Sequence, residues 1–115
     1  MSLERVFKAL LSLDLSHIDA KVYMILALSG PKKKLRIVND LKINKQQISQ
    51  SLENLQNKGV IFADLENQNA FFALPFEKAL EALIKIEKKQ TLIIQETKET
   101  LLTIWQTMIK KNSET

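Results

Sequence analysis

Asn44 to Gly59 reads NKQQISQSLENLQNKG, and Lys45, Gln46, Gln47, Ser49 and Gln50 crowd its first half. A glutamine amide holds a carbonyl and an NH2 side by side, the pairing that meets adenine in the major groove. A serine hydroxyl bonds to either kind of base edge, and lysine serves an edge or a flanking phosphate. The chemistry on offer is recognition, not bond-making. Just upstream, Lys32, Lys33, Lys34, Arg36 and Lys42 gather positive charge whose counterpart is backbone phosphate. Alone, such a run is a solvated loop; its place beside the amide-rich stretch gives it a phosphate-facing role. From Pro31 to Gly59, Lys32, Lys33, Lys34, Arg36, Lys42, Lys45 and Lys58 face only Asp40 and Glu53, a net of +5, while the whole chain carries +4. The basic bias therefore sits in this quarter, and the remainder is near neutral.

Other chemistry has little to stand on. There is no cysteine, so disulfides and thiolate metal sites are excluded. His17 is the single histidine, with no second ligand type nearby, and reads as a solvated first-turn residue. No glycine-rich phosphate loop appears, and the carboxylates lie scattered, mostly at helical spacing from lysines, as on solvated faces. No catalytic residue, metal site, cofactor or small-molecule effector is expected, and the chain does not read as an enzyme. At 45% hydrophobic and 26% charged, the 115 residues suit one globular domain with room for one added element. No signal segment opens the chain, and no apolar run nears the roughly 20 residues that span a bilayer. The expectation is a cytoplasmic protein without a membrane partner.

Two glycines and two prolines in all point to a mostly helical chain. Residues 2–13 form an amphipathic helix with Ser2 as its cap, Arg5 and Lys8 outward, and Val6, Phe7, Leu10, Leu11 and Leu13 on a wide apolar face. That width suits either core packing or burial against a second subunit. Asp14 and Leu15 break the pattern. Ser16 opens a second helix, with Asp19 at capping-box spacing, and Gly30-Pro31 stops it. Ile18, Val22, Ile25, Leu26 and Leu28 supply its core side. Leu35, Val38 and Leu41 mark a third, short helix. A turn at Ile43 and Asn44 leads to a fourth, about residues 45–58, capped by Asn44 with Gln47 completing the box, and closed by Gly59. Ile48, Leu52 and Leu55 share its inner stripe, while Gln46, Ser49, Gln50 and Asn57 face the other way. A short helix, a tight turn and an amide-faced second helix make a helix-turn-helix suited to the major groove.

After Gly59 the period changes. VIFADLENQNAFFALP reads as two strands around a turn at Glu66–Asn69, with Val60, Phe62, Leu65, Phe71, Phe72 and Leu74 apolar. A hairpin directly after such a helix is a wing. This one has no cation at its tip and carries Asp64 and Glu66 on its shoulder, so it should add little to phosphate binding. Pro75 ends it. From Phe76 to about Lys111 a helix of about 50 Å follows, either continuous or broken at the polar interval Glu87–Thr91. Its second half holds Leu92, Ile93, Ile94, Leu101, Leu102, Ile104, Trp105, Met108 and Ile109. Ile94, Leu101 and Met108 recur every seventh residue with Ile104 between, as in a coiled-coil seam. Ile94, Leu101, Ile104, Trp105 and Met108 are the expected dimerisation residues, because one chain has no other segment to cover them. Folding back, or binding another protein, are the alternatives.

LDLSHIDAKVYMILALSGP, from Leu13, resembles the opening of the TrmB family of archaeal transcription regulators. There a Leu-Ser pair, an acidic residue, Ala and a Val-Tyr pair precede a Gly-Pro stop. INKQQISQSLENLQNKGVI resembles that family's recognition helix, and Leu-Pro-Phe-Glu-Lys-Ala-Leu from Leu74 resembles its entry to a linker helix. MarR-like relatives share much of this pattern. The resemblance implies a homodimer on a DNA operator. Lys45 matches a basic position at the start of the recognition helix, and Ser49 stands where the family often has an aromatic residue. Larger members carry a C-terminal sugar-binding domain with no counterpart in these residues, so sugar sensing is not expected.

The expected fold is thus mostly α with a small β-hairpin: a winged helix-turn-helix over residues 1–75, then a long C-terminal dimerisation helix over 76–115. The expected function is sequence-specific binding of double-stranded DNA by a homodimeric transcription regulator. Lys45, Gln46, Gln47, Ser49 and Gln50 would face the bases, and Lys32, Lys33, Lys34, Arg36 and Lys42 the backbone. A winged-helix module for protein partners, or a weakly specific chromatin protein, would suit the same pattern.

Overall fold

A computed structural model of the chain describes residues 3–67 and 69–113. The elements run α1 (Leu3–Ser12), α2 (His17–Ser29), β1 (Lys32–Lys33), α3 (Lys34–Leu41), α4 (Lys45–Asn57), β2 (Ile61–Ala63), β3 (Ala70–Ala73) and α5 (Phe76–Ser113). This is a winged helix-turn-helix followed by a long helix. The proposed Ser2 cap lies outside the described residues.

The helix ends are built by local chemistry. Ser16 is extended and its hydroxyl accepts from the Asp19 N–H at 3.0 Å, opening α2. Gly30 closes it at φ 85, a left-handed conformation that glycine adopts without steric cost, and its N–H reaches back to the Leu26 carbonyl. Asn44 caps α4 by accepting from the Gln47 N–H at 2.8 Å. Between α3 and α4, Lys42 sits at φ 55 and donates its N–H to the Val38 carbonyl, so the helices meet through a tight left-handed turn.

The core is shared by α1, α2, α3, α4, the sheet and the start of α5. Leu10, Val22, Tyr23, Leu26, Ile37, Ile48, Leu52, Leu55, Val60, Ile61, Ala79 and Leu83 are all buried. α4 packs on both α2 and α3, with Ile48, Leu52 and Leu55 as its inner stripe. Three expected core residues are elsewhere. α3 buries Ile37 completely while Leu35 is 63% exposed, so its inner face is Ile37, Val38 and Leu41 rather than Leu35, Val38 and Leu41. Those two sets differ by little on a helical wheel, and only the neighbouring helices choose between them. Leu28 of α2 and Leu65 of the wing are exposed, at 63% and 96%. Tyr23 is buried instead, and its hydroxyl donates to the Leu74 carbonyl at 2.7 Å, tying α2 to the end of the wing.

The sheet has three antiparallel strands in the order β1-β3-β2. β2 and β3 form the hairpin, Phe62 opposite Phe72 and Ile61 opposite Ala73. The outer face carries Phe62 and Phe72, about two-fifths exposed, with ring centroids 5.7 Å apart. β1 is the addition: Lys32 and Lys33, read from sequence as loop, pair with Phe71 and Ala70. Two lysines in a row carry no strand signal; the pairing comes from β3, almost forty residues on.

α5 is one unbroken helix of 38 residues, about 57 Å at 1.5 Å per residue. No break falls at Glu87–Thr91, where the Thr91 hydroxyl donates to the Glu87 carbonyl one turn back at 2.9 Å. The chain divides into two compact units, Met1–Lys85 and Ile86–Thr115. Ala79 and Leu83 bury into the first. In the second, Leu92, Ile93, Ile94, Leu101, Leu102, Ile104, Trp105, Met108 and Ile109 are 49–67% exposed. No helix among the described residues is long and apolar enough to cross a membrane.

Candidate nucleic-acid interface

α4 is held from behind and open in front. Its rear carries, besides the apolar stripe, Ser51, 2% exposed. The Ser51 hydroxyl donates to the Asp19 carboxylate at 2.6 Å, and Asp19 is itself 5% exposed. A buried carboxylate is tolerated when such a donor replaces water. The bond joins α2 to α4 across 32 residues and limits rotation of α4 about its axis. Sequence spacing assigned Asp19 only to the α2 cap; a lone acidic residue gives no sign of a serine so far along the chain.

On the front, Gln46, Gln50, Glu53 and Asn57 fall at intervals of four, three and four residues, which is one helix face, and all are exposed. Glu53 belongs to this face and was missed among the amides; a carboxylate can accept from a cytosine N4. Gln50 is not free-swinging, because its Nε2 donates to Asn54 Oδ1 at 3.1 Å. The other candidates lie on the flanks. Gln47, with Gln50 and Asn54, lines a small recess against Ser16, Ile18 and Asp19 at the start of α2. Lys45 is exposed and Ser49, one turn on, half-buried.

The basic cluster splits in two. Lys33, Lys34 and Lys45 line one groove of about 490 Å³ with Leu35, Asn69 and Phe71. This brings the first residue of α4 together with β1, the start of α3 and the root of the wing. Exposed Leu35 finds its place here. Lys32 and Arg36 are committed elsewhere: Lys32 Nζ donates to Asp40 Oδ2 at 2.9 Å, and Arg36 Nε lies 3.3 Å from the same carboxylate. Lys32 is also largely covered, its side chain 15% exposed. The hydrogen bond from Lys32, with the charges of Lys32 and Arg36, holds the Asp40 carboxyl below its usual range. Lys42 is exposed at the α3–α4 turn. Within the described wing, residues 61–67 and 69–73, there is no cation. Its turn is held in part by an acidic group, the Asp64 carboxylate accepting from the Glu66 N–H at 3.0 Å.

A search of solved structures finds this architecture in known proteins. TrmBL2, described as an archaeal chromatin protein with a novel mode of DNA binding, superposes with a TM-score of 0.71 at 18% identity, over 86% of this chain and 38% of its own. A MarR family regulator from Neisseria meningitidis gives 0.51 at 19% identity, over 96% of this chain and 89% of its own. At these identities the likeness is one of fold, and the chain spans well under half the length of TrmBL2. No curated protein matches. The model of one family, described as sugar-specific transcriptional regulator TrmB, matches residues 7–77. That match runs from α1 through the helix-turn-helix and wing into the first turn of α5, and the chain belongs to the TrmB family of transcriptional regulators.

Proposed function

We propose that the chain is a transcription regulator that binds double-stranded DNA as a homodimer, with α4 in the major groove. The observation that carries this is α4 itself: a helix fixed from behind by its core stripe and the Ser51–Asp19 bond, with Gln46, Gln50, Glu53 and Asn57 exposed in front. The groove of Lys33, Lys34 and Lys45 beside it suits a backbone phosphate. Lys42 adds a further exposed cation, while Lys32 and Arg36 act more through Asp40 than on DNA. Gln47 and Ser49 serve at the edges of the contact, and residues 1–75 form the DNA-binding domain.

Pairing follows from α5. Nine large apolar side chains from Leu92 to Ile109 are about half or more exposed, far more than a lone soluble helix leaves to water. A second copy covers them in a two-helix seam through Ile94, Leu101, Ile104, Trp105 and Met108, making residues 76–115 the dimerisation segment. Two recognition helices then meet half-sites about one helical turn apart, roughly 34 Å.

A second function is weakly specific coating of DNA, which the fold shared with TrmBL2, described as a chromatin protein, favours. Selection of bound duplexes from a random pool separates the two. A regulator yields a pseudo-palindromic consensus, and Gln46→Ala relaxes one position of each half-site. A coating protein yields none. Absence of any salt-dependent binding to duplex DNA would overturn both.

A further inference from the structure

We infer that Asn54 is a positioning residue for base recognition, holding the Gln50 amide in the orientation that accepts adenine. The inference rests on α4 being the base-reading helix. Gln50 Nε2 donates to Asn54 Oδ1 at 3.1 Å, one turn along α4. A glutamine NH2 carries two hydrogens. With one directed along the helix to Asn54, the second and the Oε1 carbonyl remain for an incoming edge. Adenine presents an N7 acceptor beside an N6 donor in the major groove, the complement of that pair. While Asn54 keeps its carbonyl toward Gln50, the same bond disfavours the reversed Gln50 amide, whose carbonyl would then meet the Asn54 carbonyl oxygen.

Asn54 can do this because it is better anchored than the residue it orients. It is half-buried, whereas Gln50 is exposed. It lines the recess at the start of α2 with Ser16, Ile18, Asp19 and Ser51. The Ser51–Asp19 bond at 2.6 Å fixes the wall of that recess. A side chain held before contact loses less rotamer freedom on binding, which concentrates discrimination at that position. Asn54 therefore governs which base Gln50 prefers without touching DNA.

The test uses the full chain and duplexes varied singly around its selected consensus. Gln50→Ala should relax one adenine position per half-site. Asn54→Ala should relax the same position, losing most of a preference of roughly tenfold. Its affinity for random duplex, salt slope and unfolding midpoint should stay as in the parent. Asn54→Asp keeps an acceptor at the same place and should restore the preference, while its added charge lowers affinity for every duplex. If Gln50→Ala relaxes a position and Asn54→Ala leaves it intact, positioning by Asn54 is refuted and base reading by α4 stands. If Asn54→Asp fails to restore the preference, the acceptor role is refuted. If Gln50→Ala relaxes nothing although a consensus exists, Gln50 reads no base and the inference falls alone. A pool without consensus removes base reading altogether, and this inference with it.

Discussion

Asp19 and Tyr23 lie one turn apart on α2, and each spends a polar group on a distant partner. Asp19 accepts from Ser51, and Tyr23 donates to the Leu74 carbonyl. Removing either donor strands its acceptor, the buried Asp19 carboxylate in one case and the carbonyl of half-buried Leu74 in the other. Ser51→Ala leaves the Asp19 carboxylate without its donor and should cost about 2 kcal/mol in denaturant unfolding. Tyr23→Phe should cost about 1 kcal/mol, one neutral hydrogen bond. It should also change the alkaline limb. Burial pushes the Tyr23 hydroxyl up to about 12 from an ordinary 10.0. The folded state thus resists ionisation that the unfolded chain permits, so this contribution is fully present below about pH 10. It is lost as pH rises through about 12. The stability difference between the parent and Tyr23→Phe should narrow over that window, measured by unfolding at fixed denaturant. A constant difference would mean Tyr23 does not titrate there.

At the scale of elements, β1 turns a lysine run into two kinds of lysine. Successive strand residues point to opposite sides. Lys32 goes to Asp40 on α3, and Lys33 goes to the groove with Lys34 and Lys45. Lys33→Ala should weaken binding to all duplexes alike and lower the slope of log affinity against log salt by about 0.9 per subunit, about 1.8 for a bound dimer. Lys32→Ala should leave that slope nearly unchanged, since its ammonium is already matched by a carboxylate. Equal slopes for the two variants would show that the Asp40 pairing does not set them apart. The wing has the opposite character from the groove, with Phe62 and Phe72 in tilted contact, acidic shoulders and no described cation. Its contribution to DNA affinity should be small for that reason.

For the whole molecule, the burial pattern decides what can be cut. The last buried residue among those described is Leu83, and every residue from Lys88 to Asn112 is exposed. A chain ending at Lys85 therefore keeps the complete core and should fold. Light scattering should find it monomeric and the full chain dimeric, and its affinity for a two-half-site duplex should fall about a hundredfold through lost avidity. A truncated chain that still dimerises would move the subunit contact into the first unit. The open groove between α1 and α2, lined by Leu3, Phe7, Met24, Ile25 and Leu28, is where such a contact would then be sought.

Much of this fold could be read from residues close together in the chain. Ser16 and Asn44 cap helices by accepting from N–H groups three residues ahead, Gly30 and Gly59 stop them, and Ile48, Leu52 and Leu55 repeat at the helical period. Each rule joins residues at most a few positions apart, so composition and spacing carry it. The tertiary structure decided what depends on partners far along the chain. Lys32–Lys33 is a strand only because β3 lies beside it, and Ile37 is buried over Leu35 because α2 and α4 lie on that side. Asp19 became a strut for α4 because folding brings Ser51 within 2.6 Å. Of the candidate interface, the amide-rich helix was legible as a string of side chains. Which cations remain open beside it was not, because a lysine's availability depends on whether a carboxylate such as Asp40 reaches it first.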